Sequence, residues 1–524
     1  MYDVLIIGSG ISGVSTALRL SDLGIKTCIL DVGIEPRERH EIKENLYDYR
    51  LKNDSFELMI GKNFEGLHNL KSTNQTLPAK LVSPGMKFVT ERAEELSPLL
   101  SRNFTAVQSF AKGGLANAWG AGLMRFNRRD LEGFPIKEEE LAPYYERLIE
   151  EIGISGENDD LTPFFGEDKL LQKPLKLSAN ARIILKNYLK KRKRLNRKGV
   201  FIGRPRLAVL SEEKEGRKAC EYHNLEFWQP HLPYIYHPSL TLDKLISSGK
   251  VIYKRGLLAR AWFHREGKVV VEADYLLEKR KIYLECRKLV LAAGAISSAK
   301  LALTSRKDYR SKLPLLDNTA LQFPFIIPQR IGKKLETDAF GLTQLNFVYE
   351  AKNQGLLQGS ILEVTSPSRA EFFSSLPLAA ADNLRLIKYL LPALIVMQLY
   401  LPSLQPASLR LNESGELEIE GEVINIQESV KREIIRIFRS LGAFSFPRFV
   451  VKVPNGLGIH YAGTLPMVSS PQSPYQCNKF GELHGEQDVY VVDGALFPRL
   501  PSKNFSFAVM ANAMRIAEHI AKTL

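Results

Sequence analysis

Residues Tyr2–Gly33 read YDVLIIGSGISGVSTALRLSDLGIKTCILDVG. Val4–Ile7 is a run of β-formers long enough for a buried strand. It breaks into Gly8-Ser9-Gly10-Ile11-Ser12-Gly13, after which Val14, Ala17, Leu18 and Leu20 recur at helical spacing until Gly24. Thr27–Leu30 reads as a second strand ending at Asp31, 23 residues after Gly8. Each part has a physical task. Gly8 permits the tight turn, Gly10 lets backbone N–H groups approach a pyrophosphate, and Gly13 lets the helix lie close to the strand. Asp31 can accept hydrogen bonds from a ribose, and the positive end of the helix faces the phosphates. The stretch predicts a dinucleotide-binding unit.

At 524 residues the chain is too long for one core, so two or three domains are expected. Its composition, 44% hydrophobic and 25% charged, is that of a globular protein rather than a disordered or fibrous one. The four cysteines (Cys28, Cys220, Cys286, Cys477) are far apart with no CxxC, which argues against a disulfide framework or a cysteine-rich metal site. With the glycine motif starting at Tyr2, a signal or transit peptide is not expected, and the cytosol is the expected compartment. Lys186–Arg206 carries ten basic residues and no acid, most of the net charge of +14. Such a run suits a nucleotide diphosphate, a lipid-linked diphosphate or an anionic membrane surface. A solvated helix face with Ile184, Leu185, Tyr188 and Leu189 as its buried stripe is the favoured reading. No motif for nucleic acid accompanies the charge.

Residues 34–105 lack a clear period and contain turn clusters such as Asn74-Gln75 and Ser83-Pro84-Gly85. Order returns at Ser109–Gly122, SFAKGGLANAWGAG, where dense glycines let the backbone lie against a flat ligand. A helix is predicted over Glu138–Ile152. His223, His231 and His237 fall in an aromatic loop at spacings that fit no zinc pattern. Short strands including Val269–Val271 and Ile282–Glu285 lead to Lys288–Leu291, then Ala292-Ala293-Gly294-Ala295 and a helix start at Ser297-Ser298. This returns the chain to the nucleotide-binding sheet.

From Gln322 to Lys452 the texture changes to strands: Phe323–Ile327, Leu342–Tyr349, Ser360–Thr365, Leu394–Leu401, Leu409–Leu411, Leu417–Ile419 and Phe449–Val453. A separate, mostly antiparallel sheet is expected. Tyr389–Leu401 is apolar but too short to span a membrane, so a buried strand is expected. Phe372, Phe373 and Leu376 just upstream leave a peripheral membrane contact open. In the tail, Val489–Val492 reads as a strand ending in Asp493-Gly494, and Phe507–Ile520 as a helix after a loop containing Asn504. An acid and a small residue at a strand end suit a cofactor's ribityl or phosphate oxygens.

Taken together, Gly8–Gly13 with Asp31, Gly113–Gly120, Val290–Ala295, His460-Tyr461-Ala462-Gly463-Thr464 and Tyr490–Ile520 resemble the glucose–methanol–choline (GMC) flavin oxidoreductases, most closely their pyranose-oxidase-like branch. The resemblance implies an α/β architecture: a Rossmann-like FAD-binding domain interleaved with a substrate domain built on an antiparallel β-sheet. On this chain the FAD domain would comprise residues 1–60, 105–125, 245–305 and 485–524, and the substrate domain 126–244 and 306–484. Gly8, Ser9, Gly10, Ile11, Ser12, Gly13, Asp31, Gly113, Gly114, Asn117, Trp119, Gly120, Ala293, Gly294, Asp493, Gly494 and Phe505 are the implied cofactor contacts. His460 and Asn504 occupy the positions that face the flavin in the family pattern.

Three departures stand out. Ala118 stands where pyranose oxidases carry the histidine that attaches FAD, so non-covalent FAD is expected. Asn504-Phe505 replaces the usual Asn-Pro, and Cys220 is alone where related sequences have further cysteines. The implied activity is oxidation of an alcohol, a sugar or polyol, free or carried on a nucleotide or lipid diphosphate. Neutral imidazole at His460 would act as base, and Asn504 would donate to the developing alkoxide. A flavin-dependent isomerase or mutase and a cofactor-bound scaffold are the competing readings. The electron acceptor and oligomeric state are not specified by any motif.

Overall fold

A computed structural model describes residues 1–37, 42–53, 56–61, 78–351, 355–364, 379–403, 407–422 and 427–524. The Asn74-Gln75 turn and Phe372, Phe373 and Leu376 lie outside the described residues.

Tyr2–Ile7 and Thr27–Leu30 form strands, and the apolar pattern places them side by side in parallel, Val4 opposite Thr27 and Ile7 opposite Leu30. Val251–Lys254 adds outside Thr27–Leu30, and Arg280–Leu291 pairs in parallel on the other edge of Tyr2–Ile7. Arg280–Leu291 is one continuous strand where the sequence suggested two. Its outer half pairs antiparallel with Lys268–Tyr275, and its inner end pairs in parallel with Val489–Val491. Burial tracks that change of role: the outer half is largely exposed, while Lys288–Leu291 is fully buried. The helices Ile11–Asp22, Glu138–Ile152 and Ser506–Lys522 stack beside this sheet, tied by Arg19 to Glu518 (2.6 Å) and by the Tyr144 hydroxyl to the same carboxylate (3.0 Å).

A second, six-stranded sheet runs in the order Val451–Lys452, Ala320–Ile326, Leu394–Tyr400, Gly355–Glu363, Thr343–Ala351 and Val200–Gly203, antiparallel throughout. Alternation along these strands sorts their side chains. One face carries Phe323, Phe325, Phe347, Ile361, Met397 and Leu399 against the helices Ala179–Asn196 and Glu428–Ser440. Phe438 fixes the second helix, stacking on Phe325 (4.6 Å) and meeting Phe347 at 5.3 Å. The other face is polar and looks into the cavity described below.

Four sequence expectations change. Leu409–Leu411 and Leu417–Ile419 belong to a third, four-stranded sheet with Leu99–Arg102 and Leu313–Leu315. Tyr389–Leu401 is a strand only from Leu394, because Ala380–Leu390 is helical and Pro392 sits in the turn between. Around Phe449 only Val451–Lys452 pairs. The basic run starts on helix Ala179–Asn196, passes through strand Val200–Gly203 and ends at Arg206, buried against Asp168; the helix's buried stripe is Ala181, Ile184, Tyr188 and Leu195, with Leu189 exposed. All four cysteines are free and buried. No helix among the described residues is long and apolar enough to cross a membrane.

Candidate active site

The carboxyl ends of the parallel strands, the glycine-rich Ser109–Gly122 stretch and the polar face of the six-stranded sheet enclose one cavity of about 780 Å³. Of the residues singled out from the sequence, Gly8, Ser9, Gly10, Ile11, Ser12, Asp31, Gly113, Gly114, Trp119, Gly120, Ala293, Gly294, His460, Asp493, Gly494, Asn504 and Phe505 all line it.

Two of the singled-out residues do not. A Cβ on Gly13 would stand 2.1 Å from the Gly8 carbonyl oxygen, so this glycine serves helix-on-strand packing. Asn117 gives its amide N–H groups to Lys112 O (3.0 Å) and Gly114 O (2.7 Å), and its Oδ1 faces His231 Nε2 (3.0 Å). Its side chain shapes the glycine loop from behind.

The glycine turn is built for a close ligand. Gly8 has φ +102°, and a Cβ there would strike the Ala292 carbonyl at 2.6 Å. Gly10, by contrast, has nothing within 4 Å of the place a Cβ would occupy, though it lines the cavity. The Gly113 N–H donates to Ser9 Oγ (2.9 Å), and Ser9 in turn donates to Asp31, joining the two glycine-rich segments. Tyr253 also donates to Asp31 Oδ2 (3.1 Å). Burial nevertheless pushes the Asp31 carboxyl up to about 6, a site that gains from further donors such as ribose hydroxyls.

Asp493 is spent on the protein. Its Oδ2 accepts from Gly294 N–H (2.9 Å) and Ser298 Oγ (2.6 Å), and its Oδ1 from Ala495 N–H (2.9 Å). It thereby locks the end of strand Val489–Val491 to the start of helix Ala295–Ser305, and burial raises its pKa.

His460 is 9% exposed, stacked on Tyr400 (4.7 Å between ring centres) and edge-on to Phe505 (5.5 Å). Its Nδ1 lies 3.0 Å from Asn318 Oδ1. The Asn318 amide is oriented by its other end, which donates to Leu401 O (2.9 Å) and Pro501 O (3.0 Å). Oδ1 must therefore accept, so Nδ1 carries the proton and Nε2 keeps its lone pair. Burial lowers the imidazole to about 4, which holds it neutral at ordinary pH. Asp317 secures the turn leading to His460 by accepting the Gly456 N–H (2.6 Å); burial pushes this carboxyl up to about 7.

The loop carrying Asn504 is pinned on both sides. Ser502 Oγ donates to Leu356 O (2.7 Å), and the fully buried Lys503 ammonium reaches Asp130 and Phe164 O. Asn504 Oδ1 accepts the Ser506 N–H (3.0 Å), which leaves the amide nitrogen as the group available for donation.

Above them the six-stranded sheet contributes Asn346, Gln358, Ser360 and Gln398. Asn346, Ser360 and Gln398 are direct cross-strand neighbours, and Asn346 Nδ2 donates to Ser360 Oγ (3.2 Å). Asn318, Lys503 and this row of amides were not found from the sequence. The available signal was isolated amides inside otherwise apolar strands. No residue of the basic run 186–206 lines the cavity.

Two comparisons with known proteins bear on the family and the fold. The family model described as GMC oxidoreductase matches residues 449–513. That segment includes His460, Asp493 and Asn504. The crystal structure of pyridoxine 4-oxidase from Mesorbium loti is similar with a TM-score of 0.61, covering 99% of this chain and 99% of that one. At 13% identity the likeness shows the fold alone, the expected mixed α/β type. No curated protein sequence matches the chain. Neither match supports the pyranose-oxidase-like branch in particular.

Proposed function

We propose that the protein is a GMC-type, FAD-dependent oxidoreductase that oxidises the CH–OH group of a neutral sugar or polyol. The observation that carries this reading is a neutral histidine with a fixed tautomer, lining the same cavity as the dinucleotide turn. FAD fits the residues present: Gly10 leaves room where a Cβ would otherwise stand, and Asp31 lacks only ligand donors. Gly8–Ser12 and Gly113–Gly120 would hold the pyrophosphate and the flat ring system. Ala118 lines the cavity without a nucleophile, which supports non-covalent binding. When bound, FAD supplies the hydride acceptor at flavin N5.

The chain's own residues manage the proton. His460 Nε2 accepts the hydroxyl proton as the carbonyl forms, and Asn318 accepts the Nδ1–H throughout. Asn504 donates from its amide nitrogen to the oxygen that becomes negative. Asn346, Gln358, Ser360 and Gln398 present donors and acceptors without charge, which suits hydroxyl groups and disfavours a phosphate or carboxylate. With the basic run outside the cavity, the diphosphate-linked substrate loses its support.

The test is a panel experiment on purified protein. Acid should release FAD, and neutral sugars or polyols added without oxygen should bleach the flavin and leave a carbonyl product. Phosphorylated and carboxylated counterparts should bleach it far more slowly. Flavin that stays attached after denaturation, or an alcohol converted with no change of flavin, would overturn the reading.

A further inference from the structure

At one end of the six-stranded sheet the chain exposes what soluble proteins normally bury. Phe444, Phe446, Phe449 and Val451 are 42%, 57%, 46% and 52% exposed, in the loop before the edge strand Val451–Lys452 and at that strand's first residue. The end of strand Ala320–Ile326 joins them to a second exposed group. On one side of it, Ile326 pairs with Phe444; on the other it pairs with Leu394, which follows the turn from Tyr389. Tyr389 O accepts the Gly332 N–H (2.9 Å), bringing exposed Ile331 and Tyr389 together. The result is a ridge of six large apolar side chains with no described element laid over it.

The segments that carry and flank this ridge are rich in cations. The segments 327–336, 379–392 and 427–452 together hold eleven Lys and Arg against four Asp and Glu. Arg448 lies over Phe449 (4.8 Å) and Phe446 (5.9 Å), so charge and aromatic surface are interleaved. The basic helix Ala179–Asn196 abuts the start of the loop: Asn187 Nδ2 donates to Leu441 O (2.7 Å) and Lys191 reaches Ser440 O. The helical part of the basic run therefore adds to the same end of the molecule.

We propose that this end of the protein docks on the surface of an anionic bilayer, inserting Phe446 and Phe449 between headgroups while the surrounding Lys and Arg meet lipid phosphates. Exposed aromatics within a cationic rim have the composition of an interfacial anchor. A second copy of the chain suits the ridge poorly, because a two-fold interface would set these cations against themselves. No described helix can span a membrane, so the association is peripheral. From Val451 the chain continues directly through the Asp317-anchored turn to His460, so the docked face and the cavity share one segment.

Vesicle flotation of the full-length protein tests this. It should float with phosphatidylcholine vesicles containing phosphatidylglycerol, weakly with phosphatidylcholine alone, and less as salt is raised. The double variant Phe446→Ser/Phe449→Ser should lower the bound fraction by about tenfold or more, with thermal unfolding and elution volume unchanged. Wild-type protein that stays with the unbound fraction, or a variant that floats equally well, overturns the proposal. So does a wild-type oligomer that the variant dissociates, which would assign the ridge to a second copy.

Discussion

Asn318 shows how much of the site's chemistry depends on one amide. A buried histidine can present either nitrogen, and only the one without a proton can act as base. Asn318, held through Leu401 and Pro501, makes that choice. Asn318→Leu should retain FAD yet slow flavin reduction about tenfold or more, since the ring can then populate the wrong tautomer; stopped-flow absorbance checks this. The pH profile follows from the same burial. His460 titrates near 4 in the folded protein, against about 6.5 in the unfolded chain. Between those values the unfolded chain binds a proton that the native state does not, so this contribution to stability is lost as pH falls from about 6.5 to about 4. The base itself stays free above about 4, so the acid limb of flavin reduction should fall well below pH 6. A limb centred near 6.5 would show an exposed or differently partnered imidazole.

At the scale of elements, the N-terminal strand–turn–helix separates binding from folding. Gly10 faces open space and Gly13 faces the backbone of Gly8. Gly10→Val should therefore give a folded protein that has lost its flavin, whereas Gly13→Val should disrupt the helix–strand contact and yield little folded protein. Circular dichroism with flavin content on both variants distinguishes the two roles; normal flavin in Gly10→Val would remove the turn from the site. This unit was legible because its signals are local: an apolar run, glycines at fixed offsets and an acid at a strand end. The roof was harder to read. Most of its strands were located, though not Val200–Gly203, which lies within the basic run, and Asn346, Ser360 and Gln398 become neighbours only through register between distant segments. A polar residue in an alternating strand reads the same whether it faces a cavity or water. Tyr389–Leu401 misled for a related reason: a continuous apolar run carries no period, and only Pro392 marked the break.

Over the whole molecule, three sheets divide the work. The seven-stranded sheet turns the carboxyl ends of its parallel strands to the cavity, the six-stranded sheet closes it with uncharged polar groups, and the hairpin turn Ser414-Gly415-Glu416 of the third sheet adds to its wall. The tail crosses between them, bringing His460 and Asn504 to the cavity while Asp493 and Lys503 tie that crossing down. The run Lys186–Arg206 was visible in the sequence, but the face its cations share with Arg448 was not, because charge counts carry no direction. The central claim is that His460 takes the proton as an alcohol reduces the bound flavin. The most direct measurement is the anaerobic rate of flavin reduction by an alcohol that bleaches the wild type, compared with His460→Ala loaded with the same FAD. The account predicts a rate roughly a hundredfold or more slower in the variant, with flavin content unchanged; reduction at the wild-type rate would contradict it.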